Sequence, residues 1–220
     1  MSLYGVDIPI RANFQAFLRD TRTGKVLDYR SGHNTMTATG AAWLLRRMVS
    51  TNPADPALPA LSTHVLKYIG LGCGGAMQTD GRFANTQPET YLAENIEDPV
   101  PIGASGGTST YLKQIEPVAE NARYFPTDVI LRARASIAEA EVTFAGAETR
   151  ASAVSVGTQV PVSEAGLFLS SAAASYTAGG PLPGEVDPLQ PNGLAFYKTF
   201  SPVTLTPNAV FEILWEIKAA

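Results

Sequence analysis

Three glycines in "KYIGLGCGGAMQTDG", residues 67–81, stand in the order G-x-G-x-x-G: Gly70, Gly72 and Gly75. After an apolar run, that spacing can open a dinucleotide-binding loop, with the pyrophosphate held at the N-terminus of the following helix. The helix is the part that fails. The next residues, "AMQTDGRFANTQPETY", contain Gly81 and Pro88 and develop no apolar stripe, and no βαβ units follow. The glycines then serve the backbone, letting the chain leave a strand sharply with positive φ available.

Cys73 is the only cysteine, and His33 and His64 are the only histidines. A nucleophilic cysteine needs a base beside it, and nothing in the sequence brings either histidine to Cys73. A buried, inert thiol is the simpler reading. One cysteine excludes an internal disulfide framework, and the three residues fit no zinc spacing. The carboxylates Glu94, Glu97 and Asp98 cluster, but "NIEDP" is too sparse for a calcium loop. Glu139 and Glu141 would share one face of a strand, as paired catalytic acids can, although solvated strand faces carry such pairs routinely. Arg132 and Arg134 also share a face. With the acidic pair downstream they predict cross-strand ion pairs, within the sheet or across a subunit contact. No residue is therefore assigned a catalytic, cofactor-binding or metal-binding role, and no cofactor is expected.

The bulk composition narrows the class further. The chain has 220 residues, 45% hydrophobic and only 16% charged, with a net charge of −4. Soluble domains typically carry about 25% charged residues, so this chain either keeps a small free surface or gives much of its surface to partners. No broad basic field would attract nucleic acid. The N-terminal residues lack a basic stretch followed by a long apolar run, so no signal peptide is expected. No segment approaches the roughly 18 apolar residues of a membrane helix.

These residues must be positioned mainly by strands. Residues 8–30 read as a hairpin, with Phe14, Phe17, Val26 and Tyr29 as strand formers and "DTRTGK" as its turn. "TMTATGAAWLLRRMVSTNP" predicts one helix over about 37–50, with Thr37 or Thr39 as N-cap and Pro53 beyond its end. "HVLKYIGLG" is a short buried strand. Residues 73–126 form a long excursion with short strands such as "STYLKQIEPV", and so long a loop suggests a task. In "TDVILRARASIAEAEVTFAG", Val129, Leu131, Ala133, Ala135 and Ile137 share a face, and then the apolar phase shifts. A shift of phase predicts a bulge or tight turn near Ile137–Glu139. "QVPVSEAGLFLSS", "GLAFYKTFSPVTL" (with Pro202 at its end) and "NAVFEILWEIKA" are further strands. The expectation is a single all-β domain over 1–220. It would be an antiparallel β-sandwich or jelly-roll-like barrel with one helix, an N-terminal hairpin or arm over 1–32, and long loops.

Several of these segments together resemble a loose family of tailed-bacteriophage virion structural proteins. Asn34, Thr37 and Gly40 match an Asn-x-x-Thr stretch that opens a helix, and Tyr68, Ile69, Gly70 and Gly72 match a "Y-I-x-x-G-x-G" strand and turn. Glu164, Gly166, Leu167 and Phe168 match an "E-x-G-L-F" strand; Phe200, Pro202, Val203, Trp215 and Ile217 match the closing aromatic strands. The chain departs from the pattern at Cys73, where the family usually has threonine, and in the length of its 73–126 loop.

The resemblance implies a non-enzymatic structural subunit of a phage particle, assembled in the host cytoplasm. Its implied partners are other virion proteins, either major capsid or tail and baseplate components, with no nucleic acid or membrane partner. Self-association as a trimer or ring is expected, with the N-terminal arm and Glu94–Pro126 as contact segments. Two alternatives come from other classes. One is a carbohydrate- or receptor-binding module using Tyr91, Tyr111, Tyr124 or Tyr176. The other is a hydrolase on a β scaffold, which would need clustered acids or histidines in a pocket.

Overall fold

Between residues 10 and 20 every second side chain, Ala12, Phe14, Ala16 and Leu18, is buried, so the period is two and the segment is a strand. The same logic repeats along the chain in the computed structural model. It describes residues 2–3, 6–7, 10–49, 64–72, 96, 100, 102–105, 108–110, 112–116, 123–124, 129–138, 141, 160–171, 193–206 and 208–219. The strands are β1 (Ser2–Leu3), β2 (Val6–Asp7), β3 (Ile10–Asp20), β4 (Val26–His33), β5 (Thr35–Met36), β6 (His64–Gly72), β7 (Ile102–Ser105), β8 (Thr108–Thr110), β9 (Leu112–Gln114), β10 (Arg123–Tyr124), β11 (Val129–Ile137), β12 (Val160–Ser171), β13 (Leu194–Leu205) and β14 (Ala209–Ala219). The one helix among the described residues, α1, spans Ala38–Val49.

Two antiparallel five-stranded sheets make the core. The first runs β10-β11-β14-β3-β4 and the second β5-β13-β12-β6-β9. Neither closes on itself, so the architecture is the all-β sandwich rather than the barrel. The inner faces meet around Phe14, which stacks on Phe200 of the second sheet at 5.2 Å between ring centroids and meets Trp215 edge-on at 4.9 Å. The predicted hairpin is present, but Ile10–Gly32 is no appended arm: β3 lies between β14 and β4, and Phe14 is fully buried.

Its turn is built by Asp20. The Asp20 carboxylate accepts from the Arg22 amide (3.0 Å), the Thr23 amide (2.6 Å) and the Thr23 hydroxyl (2.8 Å), while Gly24 takes φ +69°. The Thr23 hydroxyl, then the Thr23 amide, hold the Asp20 carboxyl below its usual value of 3.8. A carboxylate with a depressed folded pKa adds stability above its unfolded pKa and loses it as the pH falls through the folded value. Asp20→Asn should therefore narrow the stability difference between neutral pH and the range below 3.8, measured by urea unfolding at each pH. An unchanged difference would show that the turn contributes nothing through this charge.

Strand β11 ends at Ile137, where the phase changes, and the Glu141 amide donates to the Ala138 carbonyl at 3.0 Å. The bulge or tight turn expected there falls partly on residues 139–140, outside the described residues. Pro202 lies inside β13 rather than at its end. It falls where β12 and β13 shift register between Val162 and Glu164, an interruption suited to a residue without an N–H.

Candidate functional site

Of the residues that first suggested chemistry, Gly70, Arg132, Arg134 and Glu141 make packing or ion-pair contacts within the fold. Gly70 is in the middle of β6 and pairs with Gly166 of β12. A Cβ on Gly70 would come within 2.9 Å of Ile96 and Leu112 and 3.0 Å of Phe168; one on Gly166 would come within 2.5 Å of Leu194. The two glycines make a trough on the outer face of the second sheet. Ile96 fills it, within a cluster of Tyr68, Leu112, Phe168, Leu194 and Tyr197. Gly70 is needed for close approach, not for a sharp exit or positive φ, and the positive-φ glycine among the described residues is Gly24.

Ile96, the buried Val100, whose amide donates to Leu71 O at 2.8 Å, and β9 all fold back onto the chain's own second sheet. These parts of Glu94–Pro126 are therefore intramolecular. Removing the segment would uncover the sheet, so a deletion is no clean probe of a subunit contact.

His64 opens β6 and Gly72 closes it, which puts roughly 27 Å of extended backbone between them. His33 ends β4 in the other sheet. Cys73, Gly75, Glu94, Glu97, Asp98, Glu139, Tyr91, Tyr111 and Tyr176 lie outside the described residues, as does the side chain of Tyr124. Glu141 is committed elsewhere: its carboxylate accepts from Lys113 and from the Ala138 amide (2.9 Å), tying the end of β11 to β9. The arginines do form cross-strand ion pairs within the sheet, with partners other than the acids downstream. Arg132 meets Glu216 at 2.9 Å, and Arg134 meets Glu212 at 3.4 Å and Glu116 at 3.7 Å. Register decides this, because Arg132 sits opposite Glu216 on β14.

The residues that carried the resemblance sit at joints of the sandwich. Asn34 lies where the chain crosses from the first sheet to the second. Oriented by its neighbours, its amide donates to Ala12 O at 2.6 Å and accepts from the Trp215 indole N–H. Thr37 is the N-cap: its hydroxyl accepts from the Gly40 amide at 3.1 Å and donates to Leu194 O. Gly40 lets α1 lie directly on β13, where its Cβ would be 2.2 Å from Ala195 O. Glu164 is buried, and its carboxylate accepts from the Tyr197 hydroxyl, as a buried acid requires.

What remains open is the outer face of the first sheet. Three successive rungs cross β14, β3 and β4: Glu216, Asn13 and His33; Leu214, Gln15 and Ser31; Glu212, Phe17 and Tyr29. Asn13, Gln15, Tyr29, Ser31 and His33 line a shallow groove of about 260 Å³ floored by Leu214. Tyr29 is 44% exposed, and its ring leans on Phe17 at 4.9 Å. Arg19 covers Phe17 at 5.1 Å and reaches Glu212 at 2.9 Å. No protein-family model, curated protein or solved structure matches the chain. The groove was not foreseen from the sequence, where these residues read only as the polar half of two alternating strands.

Proposed function

We propose that this chain is a structural subunit of a bacteriophage virion, a head-surface decoration or a tail or baseplate component, acting through protein–protein contacts rather than catalysis. The supporting observation is the set of joints just described. Asn34, Thr37, Gly40, Gly70, Glu164, Gly166 and Trp215 carry the sequence resemblance, and each either packs against or hydrogen-bonds a neighbouring strand or the helix. A likeness carried by residues that make the frame supports a shared frame, and with it the particle reading. On this reading the contacts are made by exposed surface, including Val26 and Leu27, exposed by 40% and 52% on the edge strand β4. The subunit self-associates, assembles in the host cytoplasm and stays in the particle.

Mass spectrometry of gradient-purified particles tests this. The chain should be retained at an abundance comparable to known particle proteins after high-salt washing. Its recovery only in the unassembled lysate would refute the assignment.

A further inference from the structure

We propose that the groove on the outer face of the first sheet binds a neutral, polyhydroxylated ligand, a pyranose ring of a glycan, with Gln15, Asn13 and Ser31 at its hydroxyls and Tyr29 against its apolar face. The inference does not depend on the particle assignment.

Three observations carry it. First, among the described residues no partner is found for the side chains of Asn13, Gln15 or Ser31, although they stand on adjacent rungs of one sheet. They offer both donors and acceptors without charge. Second, the ionised groups bordering them are already neutralised. Arg132 holds Glu216, and Arg19 and Arg134 share Glu212. An anion or cation would find its counter-charge engaged; a neutral ligand would not need one. Third, the next rung is aromatic. Same-face residues along a strand lie roughly 6.8 Å apart, so a ring that hydrogen-bonds at the Gln15–Ser31 rung can also cover Tyr29. A pyranose has a polar rim and an apolar C–H face, matching this order of polar and aromatic rungs. The Phe17 contact and the Arg19 cover hold the Tyr29 ledge in place before any ligand arrives.

Size and backbone argue in the same direction. A space of about 260 Å³ is below the roughly 300–1,000 Å³ of drug-sized pockets, and suits one ring with its chain continuing into solvent. An added peptide strand would need unpaired backbone groups. Strands β3 and β14 at the groove's floor both have neighbours on either side, and the free backbone of the edge strand β4 lies along the rim of the sheet rather than over the floor, so the Gln15–Ser31 rung offers side chains to a ligand.

Amide chemical shifts of the isotope-labelled full chain decide the matter. The probes are methyl β-D-glucopyranoside, methyl β-D-galactopyranoside and N-acetyl-D-glucosamine, with tetraglycine as a peptide control. At least one sugar should shift the amides of Asn13, Gln15, Tyr29, Ser31 and Leu214 saturably, with half-saturation on the order of millimolar. Gln15→Ala should weaken binding about tenfold, one hydrogen bond's worth, and Tyr29→Ala should abolish it, with the rest of the spectrum unchanged. If Tyr29→Ala does not fold, Tyr29→Leu, which keeps bulk without the aromatic face, serves in its place. No shift with any sugar, shifts centred elsewhere, binding that survives both substitutions, or equal shifts with tetraglycine would each overturn the proposal.

Discussion

Gly40→Ala is expected to destabilise this protein by about 3 kcal/mol or more, a drop of roughly 10 °C in melting temperature for a chain of this size. The sign is what makes the experiment informative. In a helix, alanine in place of glycine ordinarily gains about 1 kcal/mol, and Gly40 is in the first turn of α1. Here the new Cβ would sit 2.2 Å from Ala195 O, 2.8 Å from Ala195 C and 2.9 Å from its Cα. All three are backbone atoms of β13, so no side chain can turn aside and either the helix or the strand has to move. Moving the helix would also strain the Thr37 cap, whose hydroxyl is held between Gly40 and Leu194. Thermal unfolding followed by circular dichroism checks the prediction. A neutral or stabilising Gly40→Ala would mean that α1 does not rest on β13 as described.

The second large effect is expected in the trough on the other side of β12 and β6. Gly70→Ala places a methyl within 2.9 Å of Ile96 and Leu112 and 3.0 Å of Phe168, and should cost about 2 kcal/mol through overpacking. Ile96→Ala should cost about 2–3 kcal/mol by leaving the trough empty. The double variant should cost at least about 1 kcal/mol less than the two together, because the added methyl occupies part of the space that Ile96 vacates. Urea unfolding of the four proteins closes the cycle. Strict additivity would show that Ile96 does not pack against Gly70.

Both predictions rest on glycines whose presence was plain in the sequence and whose reason was not. The strands themselves were readable: "HVLKYIGLG" is a short apolar run and is β6, buried on both faces from Tyr68 on, and the two-residue alternation of "NAVFEILWEIKA" is β14. Thr37 was readable as one of two candidate caps, with Thr39, because its hydroxyl and the helix start are local. The role of Gly70 needed a residue 26 positions later to return and lie on it. The partners of Arg132 and Arg134 needed the β11–β14 register, which brings residues 84 and 78 positions away. The groove needed two registers at once, since its rungs are composed by β14, β3 and β4 together. Local chemistry was visible in one dimension, and contacts set by pairing were not.

The placement of β14 has a consequence for how the chain is made. It is the middle strand of the first sheet, joined along its length to β11 on one side and, from Ala209 to Ala219, to Asp20 through Ile10 on the other. As the polypeptide emerges from the ribosome, β3 and β4 can form a hairpin, but the other edge of β3 has no partner strand until β14, nearly two hundred residues of synthesis later. Such distant pairing is slow and leaves apolar strand faces exposed while it waits. Between the emergence of Asp20 and that of Ala209 the nascent chain is a natural client for a chaperone, and a ribosome stalled shortly before Ala209 would release a product lacking the centre of its first sheet.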